Sequence, residues 1–287
     1  MSTQNLSKTV EAALTAAVAL IEKRYGTGAS NENELAFHGV RHTNGVVARA
    51  VSLITAMEAS EEDITLAGIA AAFHDTVQNW EEFARPDGAI MRKRFAGQNE
   101  RDSAAEAIAW MRETGIYSEH RAALVTEAIL ATVPGWNVDH KTVVQPNLRP
   151  DSHPVVRAVA LADLGTGGME GETFVTEGDP LFREENLDIA RAIGSARSQS
   201  DITEEAQQRY RGRMLAWTQS QSTFVSGRKA LLETELGNLG DSLKEPTRQL
   251  FRGFDDAITA SALLVATRST LSFWEMAQAM GYNIPTV

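Results

Sequence analysis

Apolar residues recur along this chain at intervals of three and four, and seldom at intervals of two. Val46, Ala50, Leu53 and Met57 share one helical face, as do Leu124, Val125, Ala128 and Ile129. That period predicts an almost entirely α-helical protein, with helices over about 6–23, 41–58, 61–75, 99–113, 119–131 and 154–164. Start signals agree. Ser60 precedes Asp63, Ser118 precedes an apolar run, and Ser152 or His153 precedes Pro154, whose fixed φ suits a first helical turn. Past this point the composition changes: Gly165, Gly167, Gly168 and Gly171, with Glu170, Glu172 and Glu177, read as a long, polar, flexible loop. Helical spacing returns at about 181–193, 203–236 and 254–280, and Asp201 with Glu204 reads as a capping box for the longest helix. No internal repeat or clear linker interrupts the chain, so residues 1–287 are read as one all-α domain with a helical carboxy-terminal extension.

Composition narrows the functions open to such a fold. Hydrophobic residues make up 43% and charged residues 23%, as in a soluble globular protein. There is no cysteine, which excludes disulfides, thiolate metal sites and a cysteine nucleophile, and leaves oxygen and nitrogen as the only ligands for a metal. With 27 basic and 38 acidic residues the net charge is −11, which disfavours a broad cationic face for duplex nucleic acid or an anionic membrane. A small anionic ligand in a local basic pocket is still allowed. The most apolar runs, 12–21 and 257–266, fall short of the ~20 residues that span a bilayer. The first residues lack the basic-then-apolar pattern of a signal peptide, so a cytoplasmic location is expected.

The chemistry gathers at helix ends. A His-Asp dipeptide alone is a weak signal, but His74-Asp75 closes the apolar helix Leu66–Phe73, where two ionisable groups are costly to bury unless paired or bound to metal. His42 opens the preceding predicted helix, and Asp163 ends a later one whose residues Val155, Val156, Val159 and Ala160 are apolar. Three helix ends are thus expected to bring two imidazoles and two carboxylates toward one centre. With a divalent ion (Mn, Fe, Co, Zn or Mg) this set is near neutral and leaves coordination positions for water and a substrate oxygen. The alternative is that these side chains simply cap and pair with neighbouring helices.

The order His42, His74-Asp75, Asp163 resembles the H…HD…D signature of the HD superfamily of metal-dependent phosphohydrolases. Phe37-His-Gly-Val-Arg-His42 is similar to the aromatic-His-x-x-x-His opening of the cyclic nucleotide phosphodiesterases and of predicted HD phosphohydrolases that begin Tyr-His-Asn. Asn99-Glu-Arg-Asp-Ser-Ala104 and Leu161-Ala-Asp163-Leu-Gly resemble segments of the latter group. The resemblance covers about 35–165, the HD core, and more faintly 210–236 within the extension of about 166–287. It implies an HD-domain helical bundle and a single-metal site. It also implies a metal-dependent phosphohydrolase acting on a small phosphate ester, with a nucleotide expected.

Individual roles follow from the same likeness. His38 is expected either to protonate the leaving oxygen, although Gly39 stands where the phosphodiesterases carry asparagine, or to be a lone surface histidine in a loop. Glu100 is expected to orient water or bond a metal ligand, against the alternative of a helix N-terminal carboxylate favoured by the macrodipole. Arg41, Gln78, Asn79 and Arg94 are the expected substrate-binding residues, Arg41 through its fork of donors, against the alternative of a solvated charge at the helix start. Gln78-Asn79 replaces the Glu-Asp of the stringent-response pyrophosphohydrolases, so hydrolysis of those alarmones by that route is not expected. Dinuclear HD oxygenases use extra histidines, and His120, His140 and His153 lie at a helix start or in the loop before Pro154.

Basic residues concentrate at Arg85, Arg92, Lys93, Arg94 and Arg101, beside Phe83 and Phe95, and either guide a phosphorylated substrate or form a solvated loop. Trp80 and Trp136, in predicted loops, either stack a base or close a core. The two long late helices either bring Arg213 or Arg228 to the pocket or form a homodimer face. Two other functions stand beside the hydrolase: a catalytically weak HD protein that binds a nucleotide and regulates a partner, and a dinuclear oxygenase.

Overall fold

Helices run through most of a computed structural model of the protein, which describes residues 7–26 and 33–285. The first six are α1 (Lys8–Tyr25), α2 (Val40–Ala56), α3 (Glu61–Phe73), α4 (Gln98–Glu113), α5 (Glu119–Leu130) and α6 (Pro154–Asp163). Each lies within about two residues of its expected span; residue 6 of the first lies outside the described residues. Ser60 Oγ accepts from Asp63 N at 3.1 Å and Ser118 Oγ from Arg121 N at 3.3 Å, so the predicted caps form. Of the two candidates before Pro154, His153 is the cap, its Nδ1 accepting from Val155 N.

α3 is the centre of the bundle. Every residue from Leu66 to Phe73 is buried, because α1, α2, α4, α5 and α6 all pack around it. At Gly68 a Cβ would lie 2.6 Å from Val10 Cγ2, so this glycine lets α1 cross α3 closely. A helix enclosed on all sides carries its polar residues at its ends, and α3 ends at His74-Asp75.

Two short antiparallel hairpins replace expected loops. β1 (Trp80–Ala84) pairs with β2 (Ile90–Arg94), and β3 (Gly135–Asn137) with β4 (Thr142–Val144). Trp80 and Trp136 therefore sit on strands. β1 lies mostly exposed, which explains why Trp-Glu-Glu-Phe-Ala shows little alternation.

The expected loop after Asp163 is helical. α7 (Thr166–Met169), a 3₁₀ turn at Gly171–Thr173 and α8 (Phe174–Glu185) occupy it. Its glycines serve close packing rather than flexibility: a Cβ on Gly168 would lie 2.5 Å from Phe251 and 2.6 Å from Phe254. The remaining helices are α9 (Leu187–Ser195), α10 (Glu204–Leu236), α11 (Asp241–Leu250), α12 (Phe254–Arg268) and α13 (Phe273–Ala279). The expected last helix is thus two, with Ser272 capping the second. The expected capping box also fails. Thr203 Oγ1 caps α10 by accepting from Ala206 N, while Asp201 accepts from Arg197 N and Ser198 N to close a separate 3₁₀ turn.

The extension is not an appendage. Phe174, Val225, Leu232, Leu236, Phe251 and Phe254 share the main core with α1–α6, and a second core forms around Phe182, Ile189, Met214 and Trp274. Among the described residues no helix is long and apolar enough to cross a membrane.

Candidate metal centre

His42 comes from the first turn of α2, His74 and Asp75 from the end of α3, and Asp163 from the end of α6. α2, α3 and α6 pack on one another, so their ends converge. His74 Nε2 lies 3.1 Å from Asp75 Oδ2 and 3.6 Å from Asp163 Oδ1. His42 Nε2 lies 3.3 Å from Asp163 Oδ1, 3.5 Å from Asp75 Oδ2 and 3.4 Å from His74 Nε2. One donor atom from each of the four residues falls within 4.8 Å of the others, so the group could hold a metal ion. Bonds of ~2.1 Å to a common ion would put neighbouring donors ~3.0–3.5 Å apart, which these separations match. His120, His140 and His153 lie outside the group.

The ligand atoms are held in the orientation an ion requires. His74 Nδ1 bonds Ala71 O at 2.8 Å, which fixes a proton there and turns Nε2 toward the centre. Gln78 Nε2 donates to Asp75 Oδ1 at 2.7 Å and Gln145 Nε2 to Asp163 Oδ2 at 3.1 Å. Burial works against the charged forms of all four. Even so, the mutual pairing outweighs it. The Asp75 and Asp163 carboxylates are held below their usual range, His42 is raised, and His74 is pushed up to about 10. The set therefore retains positive charge at its centre, as protons or as a cation.

A second chain of bonds leads away from Asp75. Arg94, on β2, donates through Nη2 to Asp75 Oδ1 at 3.3 Å and through Nη1 to His38 Nε2 at 2.7 Å. A guanidinium only donates, so His38 Nε2 is the acceptor and its proton sits on Nδ1, bonded to Glu184 Oε1 at 2.5 Å. Glu184 Oε2 also accepts from the backbone N–H groups of Phe37 and His38, at 2.9 and 3.1 Å. Burial opposes the charge on Glu184, but His38 and these N–H groups hold its pKa down to about 2. The nitrogen of His38 expected to give a proton thus accepts a hydrogen bond from Arg94.

The expected site residues divide into two groups. His38, His42, Asp75, Arg94, Glu100 and Asp163 line one cavity of about 520 Å³, within the ~300–1,000 Å³ common for small-molecule sites. Glu100 Oε2 also accepts from Gly97 N at 2.5 Å, so it caps α4 while facing that cavity. Arg41, Gln78 and Asn79 are not on its wall. Arg41 is exposed and reaches Thr176 Oγ1 at 3.3 Å, Gln78 stands behind Asp75, and the exposed Asn79 pairs through its backbone with Asn99. Gln78 and Asn79 border a different hollow of about 880 Å³, beside Arg24 and Trp80, which contains none of the four donors. Neither Arg213 nor Arg228 reaches the metal centre's cavity: Arg213 pairs with Asp188 and Arg228 with Glu235. Arg92 covers the Trp80 ring at 4.3 Å and Trp136 stays 61% exposed, bordering the cavity.

Glu184 and Gln145 escaped the sequence reading. Glu184 meets His38 across 146 residues and Gln145 meets Asp163 across 18, and neither belongs to a local pattern. No protein-family model, curated protein or solved structure matches this chain.

Proposed function

We propose that the protein is a metal-dependent phosphohydrolase of the HD type, cleaving a small phosphate ester. The observation that carries this reading is the meeting of His42, His74, Asp75 and Asp163 at one centre, three of which, His42, Asp75 and Asp163, line a ligand-sized cavity, with the Arg94 guanidinium bonded to Asp75. A divalent ion held there would lower the pKa of a water from ~15.7 to ~7 and polarise a phosphoryl oxygen. The chain's own groups supply the rest. Arg94 presents planar donors to phosphate, a geometry suited to two-point contact. His38 and Glu184 hold that guanidinium over the centre. Burial opposes the charge on Arg94, but the surrounding Asp75, Glu184, Glu100 and Asp163 carboxylates raise its pKa above the usual value. Phosphate release from aryl, alkyl and nucleotide esters, with and without chelator and with Mn²⁺ restored, tests the reading. Hydrolysis that survives complete metal removal would contradict it.

A further inference from the structure

Much of the apolar wall of the cavity lined by His42, Asp75 and Asp163 comes from the extension. Leu181 belongs to α8, Trp217 and Phe224 to α10, and Phe174 opens α8. The Phe174 and Phe224 rings are parallel within 3°, their centroids 5.8 Å apart. Several donor groups that border the cavity already bond backbone carbonyls. Ser220 Oγ donates to Trp217 O at 2.7 Å, and Gln221 Nε2 donates to the same oxygen at 3.3 Å. Trp217 Nε1 donates to Gly178 O at 3.0 Å, and Thr132 Oγ1 to Ile129 O at 2.8 Å. Exposed Lys141 and half-buried Glu177 also border the cavity. Glu185 faces it from the end of α8, where burial and the neighbouring Glu184 carboxylate push its pKa up to about 7, as an apolar surround does. A nucleoside would bring ribose hydroxyls and base edges against the rings of Phe174 and Phe224 and the side chain of Leu181, which cannot bond them, and unpaired polar groups there oppose binding.

Building on the phosphohydrolase reading, we propose that the ester taken by this cavity carries an apolar organic group, aryl or alkyl. Its phosphate lies at the Arg94 and metal-donor end, and its organic group lies against the α8–α10 wall. The extension is then the part of the chain that selects substrate.

Binding separates this from turnover. The probes are 1-naphthylmethylphosphonate, octylphosphonate and the methylene phosphonate analogue of AMP, whose C–P bonds resist hydrolysis, with inorganic phosphate as the shared control. Calorimetry on the full chain supplied with Mn²⁺ should give at least one apolar phosphonate binding about ten-fold or more tightly than the nucleotide analogue. The naphthyl and octyl arms distinguish aryl from alkyl preference. Leu181→Gln, at a half-buried position, and Phe224→Ala should each remove most of that advantage while leaving inorganic phosphate binding unchanged. Equal or tighter binding of the AMP analogue, or discrimination that both variants leave intact, overturns the inference. If apolar phosphonates win but no ester is hydrolysed, the inference stands and the phosphohydrolase reading falls. If esters are hydrolysed while the nucleotide analogue binds best, the reverse holds. Binding of no probe removes both.

Discussion

Arg94 Nη1 donates to His38 Nε2 at 2.7 Å, and this one bond sets what His38 can do. An imidazole nitrogen that accepts from arginine offers no proton in that arrangement, and we propose that His38 acts by fixing Arg94. His38→Ala should lower kcat/KM by a similar factor for esters with good and poor leaving groups, because the loss is in holding phosphate. A proton donor would matter far more for the poor leaving group, by ~10²–10⁴. Rates on a leaving-group series for wild type and variant distinguish the two.

Arg94→Lys should keep the positive charge but lose the fork. The expected result is a kcat/KM lower by about ten-fold or more, with bound metal unchanged, since two-point recognition of phosphate is not reproduced by an ammonium. Elemental analysis beside steady-state kinetics checks both halves.

Glu184 carries a pH dependence of stability with a definite sign. Its folded pKa of about 2 lies below the usual value of 4.5, so it stabilises the fold fully above that usual value and loses this contribution as pH falls toward 2. Glu184→Gln should cost on the order of 1–3 kcal/mol at neutral pH and less at pH ~3. Denaturant unfolding at the two pH values measures this.

Gln78 and Gln145 hold the outer oxygens of Asp75 and Asp163. Gln78→Ala and Gln145→Ala should each weaken metal binding by ~10–100-fold without unfolding the chain. Titration with Mn²⁺ under identical buffers tests it. Metal must also displace protons from this cluster, where His74 is raised to about 10, so affinity should rise with pH through neutrality and binding should release protons.

Much of this architecture is legible in the sequence, and the exceptions have physical causes. Helices α1 to α6 show because each is long, periodic and capped by its own residues. The four donors show because a helix as enclosed as α3 can place His74 and Asp75 only where something satisfies them. Gly165 to Gly171 misleads because glycine marks flexible loops and close helix contacts alike, and only the positions of Phe251 and Phe254 decide between them. Thr203 and Asp201 both suit a cap, and the backbone direction after Ile202 selects the first. Gln78 reads as a lost acid, whereas its amide donates to Asp75, a bond that a carboxylate would replace with repulsion. Arg94 belonged to a basic stretch that resembled a solvated loop, and pairing with Trp80 across the hairpin turns it inward.

The account rests on one ion shared by His42, His74, Asp75 and Asp163, and metal content tests it most directly. Wild-type protein incubated with Mn²⁺ and freed of excess should contain about one equivalent per chain, and folded His74→Ala, lacking a donor at the centre, should contain little. A wild type that retains no metal, or a His74→Ala that retains as much as wild type, contradicts it.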